Sequence, residues 1–229
     1  MDKKYELVKE DSIEFNGITL YRIRALKDFE ILTHSTIHKG DLGGYVQSEN
    51  NLSQKGNCWV SDNACVYGNA CVSDNACVAD NACVYDNAKV YDNARVYGEA
   101  RIRDNAMVFD NAYVFGNAWV CDNAYVCDNA KVCNNAKVYG YAVVQCNAEV
   151  SNNANICNDT DYMYINGLGG IYPAMTFYKC KDNQIGVTCY YFTSNFDDFV
   201  TSLKKDKDNK YKKEYLAAIE MVKIHFDLT

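Results

Sequence analysis

Val60-Ser-Asp-Asn-Ala64-Cys65, Val66-Tyr-Gly-Asn-Ala70-Cys71, Val72-Ser-Asp-Asn-Ala76-Cys77: three hexads in step open a run that ends only at Ile156. An aliphatic residue returns at every sixth position, seventeen times from Val60 to Ile156. Alanine follows four places after each, from Ala64 to Ala154, and asparagine stands before nearly every alanine. A fixed short period marks a solenoid and decides the fold before anything else is read. Val and Ile favour a short extended segment with the side chain inward. Asp-Asn or Gly-Asn then supplies a corner, where Asn is expected to take the left-handed conformation. Ala fits where a bulky inward side chain would not. A chain of strands and corners wraps into coils whose strands pair in parallel, about 4.8 Å apart.

The pattern aliphatic-x-x-x-small-x resembles the hexapeptide repeat of left-handed parallel β-helices. In that family three hexads form one triangular coil of eighteen residues. The left hand is what the resemblance implies, since parallel crossovers are normally right-handed. Seventeen hexads then give five to six coils, a prism roughly 27 Å long. The expected fold is mainly β. Residues 1–57 form an N-terminal β cap and irregular first coil, 58–157 the β-helix, and 158–229 a C-terminal ββαα unit.

The flanks carry weaker signals. Asn16-Gly17 between β-rich segments predicts a hairpin, which would cover the exposed edge of the first coil. Gly43-Gly44 reads as a tight turn into the coil, with an anion cradle the less common meaning. His34 and His38 read as surface histidines more readily than as a metal pair. Leu52 to Cys58 reads as a first rung with two extra residues. Beyond Ile156 the composition changes. Gly167, Gly169, Gly170 and Pro173 lead to two strands, Met175 to Cys180 and Ile185 to Phe192. Ser194 with Asp197 is expected to cap a short helix, and Tyr215, Ala218, Ile219 and Val222 lie at helical spacing in a last one.

The totals narrow the function. The chain has 229 residues and a formal charge of −7. An acidic balance gives no electrostatic footprint for duplex nucleic acid or an anionic membrane. No apolar run approaches the ~18 residues of a membrane span. The first residues lack an apolar segment, so no secretory signal is expected and a cytoplasmic location is. The twelve cysteines lack C-x-x-C and zinc-type spacing, so neither a metal nor another cofactor is expected. Only Cys65 and Cys83 should stack in adjacent coils at a distance a disulfide spans; in a reducing cytosol both are expected as thiols.

Grouping the hexads by threes sorts the outward residues into columns. The middle coils show Arg95, Arg101 and Arg103 among Tyr97, Tyr113 and Phe115, a set suited to pairing phosphates and stacking bases. Tyr113, Phe115, Trp119 and Tyr125 form an aromatic band, and such patches mark interfaces. A homo-oligomer is expected from them, a trimer before a dimer.

Arg22-Ile-Arg-Ala-Leu, Gly40-Asp-Leu-Gly-Gly-Tyr, the V-x-[DG]-N-A hexads and Tyr215-Leu-Ala-Ala-Ile-Glu together resemble hexapeptide-repeat proteins encoded by phages and prophages. The resemblance implies a phage context, with the host bacterial cytosol as its location, and assigns no catalytic residues. Three functions are weighed. An acyltransferase needs a general base near its acyl donor, and no His lies between His38 and His225. A structural scaffold would use the regular coils. A non-enzymatic binding protein, acting against host defence by sequestering a small nucleotide signal or occluding a host protein, fits the arginines and aromatics best.

Overall fold

The computed structural model describes residues 3–169, 174–189, 192–206 and 210–228. Gly170, Pro173, Tyr190 and Tyr191, read above as loop or strand, lie outside the described residues.

The centre of the molecule is a parallel β-solenoid of about six turns, as the hexads predict. Each hexad contributes a two-residue strand, from Trp59–Val60 to Asn155–Ile156. Strands eighteen residues apart pair in register, as Val84 does with Val66 and Ile102. Three sheets result, the three faces of the prism. The first face presents Cys65, Cys83, Arg101, Trp119 and Lys137 outward, the second Cys71, Lys89, Met107, Tyr125 and Val143, and the third Trp59, Cys77, Arg95, Tyr113, Lys131 and Glu149. Every aliphatic residue of the repeat is fully buried, and every repeat alanine is at most 1% exposed. Each buried valine contributes about 1.5–3 kcal/mol, so the interior is a stack of small, equal increments.

The corners differ from the expectation in one detail. The left-handed residue is the Asp or Gly before the Asn: Asp62, Asp74 and Asp86 have φ of 57°, 57° and 60°. Asn takes that conformation only where it stands in the Asp position, at Asn134 and Asn152. The carboxylate explains the choice. Asp80 Oδ2 accepts the Gly98 N–H of the next coil at 2.9 Å, and Asp128 Oδ2 that of Cys146 at 2.8 Å. The Asn amides instead ladder along the edges, Asn69 to Asn87, Asn105 and Asn123 at 3.0–3.3 Å.

The N-terminal cap is an antiparallel sheet of β1 (Tyr5–Phe15), β2 (Ile18–Ala25) and β5 (Leu42–Val46), with the small hairpin β3 (Phe29–Glu30) and β4 (Thr36–Ile37) beside it. The solenoid begins earlier than the period suggests, because Val46 pairs with Val66 and Leu52 bridges Val72. The interval from Leu52 to Val60 holds the two extra residues. Gly43 and Gly44 lie within β5 and form no turn. A Cβ at Gly43 would fall 2.5 Å from Val60 O, and one at Gly44 2.6 Å from Ala64 O, so the backbones meet too closely for side chains. Buried Lys4 closes the first coil, donating to Cys58 O at 2.9 Å.

The C-terminal unit has four strands where two were expected. With β6 to β22 the solenoid strands in chain order, β23 (Tyr162–Asn166), β24 (Ala174–Lys179), β25 (Ile185–Cys189) and β26 (Phe192–Asn195) form an antiparallel sheet, followed by α1 (Phe196–Lys205) and α2 (Lys212–His225). Asn195, not Ser194, caps α1, accepting from Asp198 N at 2.8 Å; Ser194 is held in the sheet opposite Val187. The helices bury Phe199, Leu203, Tyr215, Ile219 and Val222 against one side of the sheet. The other side lies on the last coils: Glu149 N donates to Thr176 Oγ1 at 2.9 Å and Lys181 N to Asn153 O at 3.0 Å.

Candidate functional site

The third face is built from one column of outward residues. Parallel pairing in register sets Arg95, Tyr113, Lys131 and Glu149 side by side, one per coil. The N-terminal hairpin covers the upper end of this column. Phe29 meets Trp59 edge-on at 5.3 Å, and Leu32 O in the turn accepts from Arg95 Nη2 at 3.2 Å. The C-terminal sheet covers the lower end. Between them lies a cleft of about 640 Å³, lined by Tyr113, Lys131 and Glu149 on the prism, by Asn111, Asn129 and Asn147 on its edge, and by Tyr164 and Thr176 across the gap.

The docking of the C-terminal sheet rests on a ring of three buried hydroxyls. Ser151 Oγ lies 3.0 Å from both Tyr178 OH and Thr188 Oγ1, and those two are 2.9 Å apart. Three hydroxyls can close such a ring with each giving one hydrogen bond and receiving one; Thr188 Oγ1 also lies 3.5 Å from Thr193 Oγ1 at its outer side.

The charges in the cleft are balanced. Lys131 Nζ and Glu149 Oε2 stand 4.0 Å apart. Burial raises the Glu149 carboxyl above the ordinary carboxylate range, with Lys131 pulling the other way. Burial likewise lifts the Cys189 thiol in the cleft wall to about 11. At the upper end the Arg95 guanidinium lies 5.2 Å from the Tyr113 ring centroid, and its Nε is buried with no hydrogen-bond partner among the described residues. Such an orphan donor asks for an explanation. Tyr97 and Phe115 stack at 5.0 Å in the neighbouring outward column of the same face.

Of the residues singled out from sequence, Arg95, Tyr97, Tyr113 and Phe115 share this face. Arg101 and Arg103 do not. Adjacent hexads lie on different faces, and these two arginines stand on the first face around Trp119. Its ring has Arg101, Arg103 and Lys137 at 5.2, 6.0 and 4.7 Å. Tyr125 lies on the second face, 37% exposed, edge-on to Phe109 at 6.3 Å. Tyr113, Phe115, Trp119 and Tyr125 are therefore spread over three faces and make no single band. Lys131, Glu149 and the C-terminal wall are site residues the sequence reading missed. Lys131 and Glu149 were visible, since they fall eighteen and thirty-six residues after Tyr113; the wall had no signal in the period.

His34 takes a left-handed turn at φ 60°, and His38 lies 3.8 Å from Asp28. Among the described residues the one grouping of three metal-capable side chains is Asp104, Cys121 and Asp122. Arg103 Nη1 already meets Asp104 at 2.8 Å there, and burial raises the Cys121 thiol, so a guanidinium serves where a cation would. No described helix is long and apolar enough to cross a membrane. No protein-family model matches the chain, and no curated protein is similar to it.

Proposed function

We propose that the protein is a non-enzymatic binding module that holds a small anionic aromatic ligand, of the nucleotide type, in the cleft of the third face. The observation that carries the reading is the cleft itself, with the Tyr113 ring beside the Lys131 ammonium, on strands one spacing or about 5 Å apart. Arg95 stands one strand above Tyr113, outside the cleft lining and bonded to Leu32 O. Phosphates pair with the Lys131 cation, a base packs against the tyrosine, and the edge amides of Asn111, Asn129 and Asn147 offer donors and acceptors to a base edge. Rigid coils hold these groups in place before the ligand arrives, which lowers the ordering cost of binding.

The likeness of the hexads to left-handed hexapeptide-repeat proteins of phages supports sequestration of a host nucleotide signal in the bacterial cytosol. Occlusion of a host protein is the second reading, and the Arg101–Trp119–Lys137 cluster of the first face favours it, since it is flat and cationic. Self-association, as a trimer before a dimer, would use the second face around Tyr125 and Met107. The test is mass spectrometry of small molecules released by heat from protein purified out of infected cells. Intact release supports sequestration. A chemically converted product shows an enzyme, an acyltransferase where acyl groups move. A protein partner with no small molecule moves the function to the first face.

A further inference from the structure

Among twelve cysteines only Cys65 and Cys83 stand eighteen residues apart. They face outward side by side on adjacent parallel strands of the first face, in register. Strand spacing sets their Cα atoms about 4.8 Å apart, inside the ~4.4–6.8 Å window of a disulfide. Both are thiols in this structure; Cys65 Sγ donates to Asn63 O at 3.4 Å and Cys83 Sγ to Asn81 O at 3.8 Å. Cys65 is 4% exposed, and Cys83 is half-buried. Leu20, Phe15 and Ile18 of the N-terminal hairpin pack over the pair with Tyr67 and Tyr85. Arg101 follows Cys83 in register on the next strand.

We propose that Cys83 and Cys65 are a modification site for hydroperoxides, with Cys83 the attacking thiolate and Cys65 the thiol that resolves it. The Cys83 sulfur attacks one peroxide oxygen and the O–O bond breaks. The leaving oxygen takes a proton from solvent and departs as water or an alcohol, and Cys83 becomes a sulfenic acid. The Cys65 sulfur then displaces that hydroxyl, which leaves as water with the Cys65 proton. One S–S bond forms, and the two electrons lost by the sulfurs are those gained by the peroxide.

The surroundings assign the roles. The adjacent Cys65 thiol and the Arg101 guanidinium, in register beside Cys83, lower the Cys83 thiol to about 7, against burial and the Glu99 carboxylate. The adjacent Cys83 and burial raise Cys65, which suits it to the resolving role. Cys71 and Cys77 occupy equivalent outward positions, are also half-buried, and face Lys89 and Arg95 in place of a second thiol. Burial raises both of them. They are internal controls with the same backbone and similar exposure.

The experiment uses the reduced full-length chain, dilute hydrogen peroxide, alkylation of the remaining thiols and cleavage before aspartates. Cys83 then falls alone in fragment 80–85, and Cys65 shares fragment 62–73 with Cys71, the two told apart by sequencing the alkylated fragment. The expected product is these two fragments joined, lighter by two hydrogens and separated again by dithiothreitol, while Cys71 and Cys77 stay alkylated. Cys65→Ser is expected to leave a sulfenic acid at Cys83 that dimedone traps, and Cys83→Ser to abolish the cross-link. Without any variant, iodoacetamide at about neutral pH is expected to label Cys83 on the order of fivefold faster than Cys71, from its larger thiolate fraction less its lower nucleophilicity. Oxidation of Cys71 or Cys77 as fast as Cys83, or a cross-link that forms only after unfolding in urea, overturns the proposal.

Discussion

Tyr178→Phe removes one hydroxyl from the ring that fastens the C-terminal sheet to the prism. The ring contains three hydrogen bonds among Ser151, Tyr178 and Thr188, all buried. Deleting any one hydroxyl breaks two bonds and leaves the other two groups sharing one. At about 0.5–1.5 kcal/mol per bond, each single variant costs roughly 1–3 kcal/mol. The triple variant Ser151→Ala, Tyr178→Phe, Thr188→Val removes all three bonds but also every polar group that needed one. Its cost is then expected to be no larger than that of a single variant, about 1–2 kcal/mol, because an apolar replacement leaves nothing unsatisfied. Urea unfolding followed by circular dichroism reads both quantities. Singles that each cost a measurable amount and add up in the triple would refute the closed ring. So would a Tyr178→Phe protein as stable as the wild type.

Three further outcomes follow from the same geometry. Val108 is fully buried between half-buried Met107 and Phe109; Val108→Asp is expected to cost more than about 3 kcal/mol by burying an unpaired charge, and Met107→Asp about 1 or less, by thermal melting. Burial raises the Glu149 carboxyl, so the native state holds that proton more tightly than the unfolded chain does. Stability therefore falls as pH rises from the ordinary carboxylate value through the raised one, and the cost persists above it. Glu149→Gln is expected to raise the urea midpoint at neutral pH, with the gain vanishing in acid; an equal gain at both would refute the assignment. Gly98 stands at a corner with φ 72° where most coils carry Asp. Gly98→Ala is expected to cost about 1–2 kcal/mol, and Gly98→Asp roughly 1 less, since its carboxylate reaches the next N–H as Asp80 does.

The prism was legible because its cause is local and repeated. Val at one position in six, Ala four later and Asp or Gly at the corner dictate a coil wherever they occur, and the column arithmetic that paired Arg95 with Tyr113 needed only the eighteen-residue step. The site was legible only in part, because a cleft needs two walls. Tyr113 came from the period, and Lys131 and Glu149 follow it at the same step. Tyr164, Thr176 and Thr188 came from a sheet whose docking depends on a contact between Ser151 and Tyr178, twenty-seven residues apart with no repeat linking them. The same non-local cause hid β23 and β26, whose short segments form strands only against β24 and β25. Arg101 and Arg103 look adjacent to Arg95 along the chain, yet a six-residue step passes one corner of the prism and carries them to another face.

Binding of a small anionic aromatic ligand at the third face is measured by titration calorimetry with cyclic and ADP-ribose-type nucleotides against the wild type, Tyr113→Ala, Lys131→Ala and Arg101→Ala. The wild type and Arg101→Ala are expected to bind, with Tyr113→Ala weaker by roughly 1–3 kcal/mol and Lys131→Ala weakened as well. Binding that survives the loss of Tyr113 and Lys131 but disappears with Arg101, or no binding of any nucleotide, would contradict it.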